Sequence, residues 1–232
     1  MPRTRSGQDL LNDAYARADL ESAVDRHPRT TVLRHANQGG AELWDLLIEA
    51  RGPEYFQASQ SITTLANTTS YALGTDFYLL IAVRRDGLGG EPLSALSRSE
   101  EAFLRDPLAG ADGYPTHYQL RRTSAGVNSV TVLPVHGAGM KLVVDYVPSY
   151  VDFADTNVSL FDGVNGWEEY IVDYAARKMA IKDEELGLAK VLEGDMAAMR
   201  ARILKLAPKR DMHRARRVKD VRGPRLMGRR YG

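Results

Sequence analysis

The 232-residue chain contains no cysteine, so disulfide staples, thiolate catalysis and cysteine-ligated zinc are all excluded. Long apolar runs are also missing. The longest, "FYLLIAV" from Phe77 to Val83, falls far short of the ~20 residues a membrane-spanning helix needs. The first residues, "MPRTRSGQDLLNDAY", carry two arginines with no apolar stretch behind them, which argues against a secretory leader and for a soluble protein made without export. Histidine is sparse. His27, His35, His117, His136 and His213 stand in no HExxH or i, i+4 arrangement, so they propose no metal centre. His35 reads as a helix-surface or hydrogen-bonded side chain and His136 as a turn residue. The glycine clusters "GLGG", "GAG" and "GVNG" lack the lysine and the strand-to-helix context of a phosphate-binding loop, and no serine sits in GxSxG. Acidic pairs at Glu100-Glu101, Glu168-Glu169 and Glu184-Glu185 fall at or near expected helix starts, where the helix dipole favours negative charge. No catalytic residue, cofactor site or metal site is expected, and the chain does not read as an enzyme.

What the chain does contain is ordinary globular material with a skewed charge. Hydrophobic residues make up 44% and charged residues 26%, enough for a substantial core. The net charge is +1, yet the segment from Lys209 to Gly232 holds ten of the 31 Lys and Arg and only two of the 30 Asp and Glu. That segment carries +8 and the remainder −7. A basic, Gly- and Pro-punctuated end on an acidic body reads as an arm that orders on a partner.

Hydrophobic period divides the body into helices at both ends and strands between. Ser6 can cap a helix over about 6–24 whose stripe is Leu10, Leu11, Ala14 and Ala18. A second helix, about 31–51, places Leu33, Ala36, Gly40, Leu43, Trp44, Leu47 and Ile48 on one face, and Gly52-Pro53 ends it. Its Gly39-Gly40 pair costs roughly 1 kcal/mol per glycine against alanine, a cost that close approach of another backbone would offset. From about 59 to 148 the period changes to two. "SITTLANTTSYALGTDFYLLIAVRRDG" gives two or three strands, "EPLSALSRSEEAFLRDPL" a short strand and a short helix from about Ser99, and residues 116–150 a three-strand meander. Pro134 and Pro148 belong at strand ends or edges.

Two glycine turns, Asp162-Gly163 and Asn165-Gly166, then aim a helix over about 166–183 at the core. Asn165 is its expected cap, and Trp167, Tyr170, Ile171, Tyr174, Ala175 and Met179 form its apolar face. A last helix, about 185–206, carries Leu188, Leu192, Met196, Met199, Ile203 and Leu206, and Pro208 stops it. The expected architecture is α+β: a bundle of N- and C-terminal helices with an inserted antiparallel β lobe (adaptor domain, residues 1–208) and an extended basic C-terminal arm, 209–232.

The arm offers two chemistries. Clustered Arg214, Arg216, Arg217, Arg222, Arg225, Arg229 and Arg230 could neutralise phosphates, which makes a nucleic-acid-binding protein the alternative reading. Interleaved Val218, Val221, Leu226, Met227 and Tyr231 are superfluous to a purely electrostatic arm and suit docking in the grooves of a protein surface.

In order, "GGAELWDLLIEARGPEYF", "SITTLANTTSYALGTDFYLLIAV", "DGVNGWEEYIVDYAARKMA" and "KRDMHRARRVKDV" resemble segments of the head-to-tail adaptor proteins of tailed bacteriophages, also called head-completion or connector proteins. The likeness covers most of the chain, with Glu91 to Pro115 matching nothing in the family's pattern. The resemblance implies a structural virion protein, made in the host cytoplasm, that assembles as a ring of twelve copies beneath the portal protein. Its helical bundle would sit against the portal, with the arm residues named above as the portal-binding set, and its β lobe would point to the tail or a further connector protein. The ring would extend the channel through which DNA passes without sequence-specific binding. No membrane partner is implied.

Overall fold

A computed structural model describes residues 4–20, 25–66, 68–86, 92–96, 114–122, 126–134, 137–156, 160–162 and 166–206. The entire arm, with its twelve candidate docking residues, lies outside them, as do Asn165, His136 and the helix expected from Ser99.

The helices are α1 (Gly7–Arg17), α2 (Arg29–Arg51), α3 (Glu169–Lys182) and α4 (Leu186–Leu206), with a 3-10 turn at Pro53–Phe56. The strands are β1 (Thr4–Ser6), β2 (Ala58–Thr63), β3 (Ser70–Ala72), β4 (Phe77–Arg85), β5 (Ser94–Ala95), β6 (His117–Arg122), β7 (Asn128–Leu133), β8 (Lys141–Pro148) and β9 (Leu160–Asp162). The α+β class read from the sequence is therefore the observed one.

α1 begins where its cap predicts. The Ser6 hydroxyl accepts from the Asp9 amide at 3.1 Å while the Asp9 carboxylate accepts from the Ser6 amide, a reciprocal capping box. It ends earlier than expected, at Arg17 rather than near residue 24. Asp19 turns left-handed at φ 56°, and a helix cannot continue through that conformation. The stripe of Leu10, Leu11, Ala14 and Ala18 is buried as anticipated.

All four helices contribute to one apolar cluster, in which Leu10, Val32, Leu43, Tyr170, Ile171, Met179, Leu192 and Ile203 are almost fully enclosed. α3 is its centre. The sequence suggests one apolar face, whereas Val172, Asp173, Ala176 and Ala180 are buried too, because α1, α2 and α4 all pack on α3. Its alanines are small enough to let three neighbours approach. The glycine pair of α2 does admit close neighbours, but they are side chains and not backbone: a Cβ on Gly39 would sit 2.8 Å from the Tyr174 Cβ, and one on Gly40 would strike the Tyr150 ring. Of the expected α4 face, Leu206 is exposed, since it stands at the helix end past the last packed turn at Ile203.

The β region is two sheets, not a meander continuing through all three late strands. β6 and β7 form the expected hairpin, with Tyr118 opposite Val132 and Leu120 opposite Val130. After residues 137–139, β8 crosses to the other sheet and becomes its central strand, in the order β2-β8-β4, every pair antiparallel. The second sheet runs β3-β7-β6-β5, with β5 parallel to β6. Ile62, Tyr71, Phe77, Val83, Val130, Val132, Leu142, Val144 and Tyr146 from the two sheets share a second apolar cluster. Alternation along β8 explains its position: Leu142, Val144 and Tyr146 enter that cluster, and Val143, Asp145 and Val147 on the other face are buried as well. Leu120 is exposed, so β6 is less covered than its alternation implies. Pro148 ends β8 and Pro134 follows β7, as prolines without an amide proton require.

A third pairing is absent from the sequence reading. β1 runs antiparallel to β9, with Thr4 opposite Asp162 and Ser6 opposite Leu160, tying the start of α1 to the approach to α3.

Candidate partner-docking interface

α4 delivers the chain to the start of the arm, so what holds α4 sets where the arm begins. Leu192, Met196 and Ile203 seat it in the helical core. A polar clamp adds direction. The Tyr170 hydroxyl on α3 donates to Glu42 Oε2 on α2 at 2.7 Å, and Arg200 on α4 donates to the Tyr170 oxygen at 2.8 Å and to Glu42 Oε2 at 2.8 Å. Burial, and then the bond to Glu42, push the Tyr170 phenol up to about 12, so it stays a neutral donor.

On the other side of α3, Arg5 and Arg17 converge on acids. Arg5 bonds Asp13 and, at 2.6 Å, Glu169; Arg17 bonds Glu169 at 2.7 Å and the buried Asp173. Arg17, Glu169 and Asp173 border a cleft of about 430 Å³ between α1, α3 and α4, whose α4 wall includes Asp195 and Arg202. Burial pushes the Asp173 carboxyl up, only partly opposed by Arg17. Glu169 goes the other way: burial would raise it, but the two arginines hold it below the ordinary glutamate value.

A further pair joins the two helical hairpins. His27, buried just before α2, has its Nε2 2.8 Å from Asp183 Oδ2 at the end of α3, and Arg26 Nε stands 2.7 Å from Oδ1, poorly aligned for a hydrogen bond. His35 is partly buried against Gln38, 3.4 Å away, and burial lowers its pKa, in keeping with a hydrogen-bonded helix residue. Glu169 does lie in the first turn of α3 and Glu185 directly before α4, as expected of helix-terminus charges. Glu168 differs: it is fully buried, and among the described residues neither of its carboxylate oxygens has a hydrogen-bond partner, at the positive end of the α3 dipole.

In the β region, Asp145 is buried on β8 and accepts from Arg84 at 2.8 Å and Ser59 at 2.6 Å. Burial alone would raise its carboxyl, but these bonds outweigh it and hold it low. Asp155 is held low chiefly by its bond from Arg29, and Asp9 by that from Ser6.

These acids set a pH limit. A carboxylate held below its unfolded value stabilises the fold above about pH 4 and loses that contribution as pH falls through its lowered folded value. Asp9, Asp145, Asp155 and Glu169 act in this direction; Asp173, raised, relieves its penalty on protonation and opposes them. Thermal melts followed by circular dichroism should show Tm level from pH 7 to 5 and falling below about pH 4. An unchanged Tm at pH 3 would mean that these pairs contribute nothing.

Among the described residues, no three His, Asp or Glu side chains gather as a metal site, and no helix is long and apolar enough to cross a membrane. What the fold presents is a helical core whose last helix carries a cationic extension, an arrangement suited to an assembly component. The family of SU10 adaptor proteins matches residues 5–222, and the chain belongs to that family of phage head-to-tail adaptors. No curated protein matches the chain. Membership makes it a virion component that contacts other head or tail proteins, in a family whose role is structural.

The charge pattern of the arm is the sequence signal on which the docking expectation rests. The clamp and the arginine cluster left none, because each joins residues at least 128 positions apart in two of its contacts.

Proposed function

We propose that the protein docks as a ring of twelve copies beneath the portal protein, extends the DNA channel and offers the attachment platform for the tail or a further connector protein. The observation that carries this reading is the family match over residues 5–222, read with the split of charge between body and arm. Residues 1–208 act as the adaptor domain, their helices against the portal and their β lobe toward the tail. The arm, 209–232, straps onto the portal. Arg214, Arg216, Arg217, Arg222, Arg225, Arg229 and Arg230 meet acidic groups there, while Val218, Val221, Leu226, Met227 and Tyr231 fill apolar grooves. A body of charge −7 gives the channel a wall that does not retain passing DNA.

The test is direct imaging. Portal-bearing heads mixed with the protein should gain a ring beneath the vertex in negative stain. Heads that stay bare, together with tight DNA binding by the free chain that weakens steeply with salt, would replace this reading with the nucleic-acid one.

A further inference from the structure

α4 has two unlike faces. The inner face carries Leu192, Met196 and Ile203 into the core. The outer face, read at 100° per residue, centres on Gly187, Gly194, Ala197, Ala198 and Ala201, with Leu186, Val191 and Leu204 at its margins. All are exposed, Leu186 and Val191 each to 62%. The charges on this face are Lys190, Arg202 and Lys205, all exposed, with the acids Asp195 and Glu193 standing just beyond its two edges. A solvent-facing helix surface is normally polar along its length, and an exposed apolar patch marks an interaction surface. The glycines point the same way. Each costs helix stability, yet among the described residues nothing lies within 4 Å of where a Cβ would stand on Gly187 or Gly194. Unlike Gly39 and Gly40, they make room for none of the described residues of their own chain.

The acidic complement lies on α2. Its outer stripe, turned away from the core, runs through Arg34, Gln38 and Ala41 to Asp45 and Glu49, every one exposed. The acids therefore occupy its C-terminal half. The Tyr78 hydroxyl donates to Asp45 at 2.7 Å, which sets an aromatic ring beside that stripe, with exposed Leu79 next to it in sequence on β4. Exposed Tyr55 lies just past the end of the helix. Among the described residues, Glu49, Arg202 and Lys205 take part in no ion pair within the chain. The spacings also agree. Arg202 and Lys205 stand three apart and Asp45 and Glu49 four apart, so each pair spans about one helical turn.

Resting on the ring reading, we infer that the last two turns of the outer face of α4 pack on the C-terminal half of the outer stripe of α2 in the next copy, with Arg202 and Lys205 against Asp45 and Glu49 and the glycine-bearing turns of α4 extending past Arg51. Each chain then gives one face and receives on the other. This head-to-tail contact uses two different surfaces, as closure of a ring requires. The helices run antiparallel. A parallel alignment with Lys205 on Glu49 would set Lys190 against Arg34, since both lie 15 residues earlier, whereas the antiparallel one carries the glycine end of α4 toward Tyr55. Two copies of α4 packed on each other fit less well: antiparallel pairing centred between Ala197 and Ala198 sets Lys190 against Lys205, like charge on like.

Charge exchange in the full chain tests the contact. Arg202→Glu with Lys205→Glu should cut the fraction of portal-bearing heads carrying a ring by about tenfold or more, and so should Asp45→Lys with Glu49→Lys. The four substitutions together should restore it, with circular dichroism and Tm of every variant like those of the native chain. Rescue also separates this contact from an effect of Lys205 on the nearby arm, which the exchange on α2 could not repair. Rings from either two-site variant at native frequency would overturn the contact, as would a folded four-site variant that still forms none. Native protein that forms no rings at all would sink the ring reading, and this contact with it. Rings from the native chain and from all variants would sink the contact alone.

Discussion

Removing Lys209 to Gly232 is expected to abolish attachment to portal-bearing heads while leaving the body folded. The deletion takes away +8 of charge and five apolar anchors, Val218, Val221, Leu226, Met227 and Tyr231. The helical core ends its last packed turn at Ile203, so the cut falls beyond every core contact described above. Sedimentation of heads with the truncated chain should leave it in the supernatant, and its thermal melt should match that of the full protein. Replacing only the seven docking arginines from Arg214 to Arg230 by glutamine separates the two halves of the strap: it should weaken attachment and reduce its salt sensitivity, since the apolar anchors remain. A truncated chain that joins heads at native levels would show that the body alone holds the portal.

The second large effect belongs to Tyr170. Its side chain is fully buried at the centre of the helical core, and its hydroxyl is the hub between Glu42 and Arg200. Tyr170→Ala removes the ring and leaves a cavity, a loss of about 3–5 kcal/mol. In a chain of this size that lowers Tm by roughly 6–20 °C. Tyr170→Phe keeps the ring and removes only the hub; Glu42 and Arg200 are near enough to remain paired, so the loss is about 1 kcal/mol. The contrast between the two variants in denaturant melts distinguishes packing from polar clamping. Because α4 rests on this residue, Tyr170→Ala should also reduce head attachment, whereas Tyr170→Phe should not. Equal losses from both variants would place the energy in the hydrogen bonds instead.

How much of this was legible beforehand follows from the range of the interactions. Ser6, Leu10, Leu11 and Ala14 announce α1 because a cap and a 3.6-residue period are local signals. The burial of Val172, Asp173 and Ala176 was hidden, since one amphipathic period cannot say that three helices surround α3. β6, β7 and β8 each read as strands, yet the passage of β8 into the other sheet depends on which partners pair with it, and antiparallel alternation looks alike in either sheet. The β1–β9 ribbon is three residues per strand, too short for a period. Of the proposed docking chemistry, the arginine-rich arm stood out by composition. The outer face of α4 was concealed in plain view, because its glycines and alanines carry no sign until the fold shows that none of the described residues covers them.

The central place of α3 has a bearing on synthesis. α2 ends at residue 51 and α3 starts at 169, so the helix that must cover it comes 118 positions later. At ribosomal speeds of ~5–20 residues per second, the first two helices wait about 6–24 s with their oily sides bare. The strands from 58 to 148 emerge in one block and need no later segment to pair. The order of events during translation is thus reversed relative to the order of the chain: the middle can settle first, and the beginning is completed only when the end arrives.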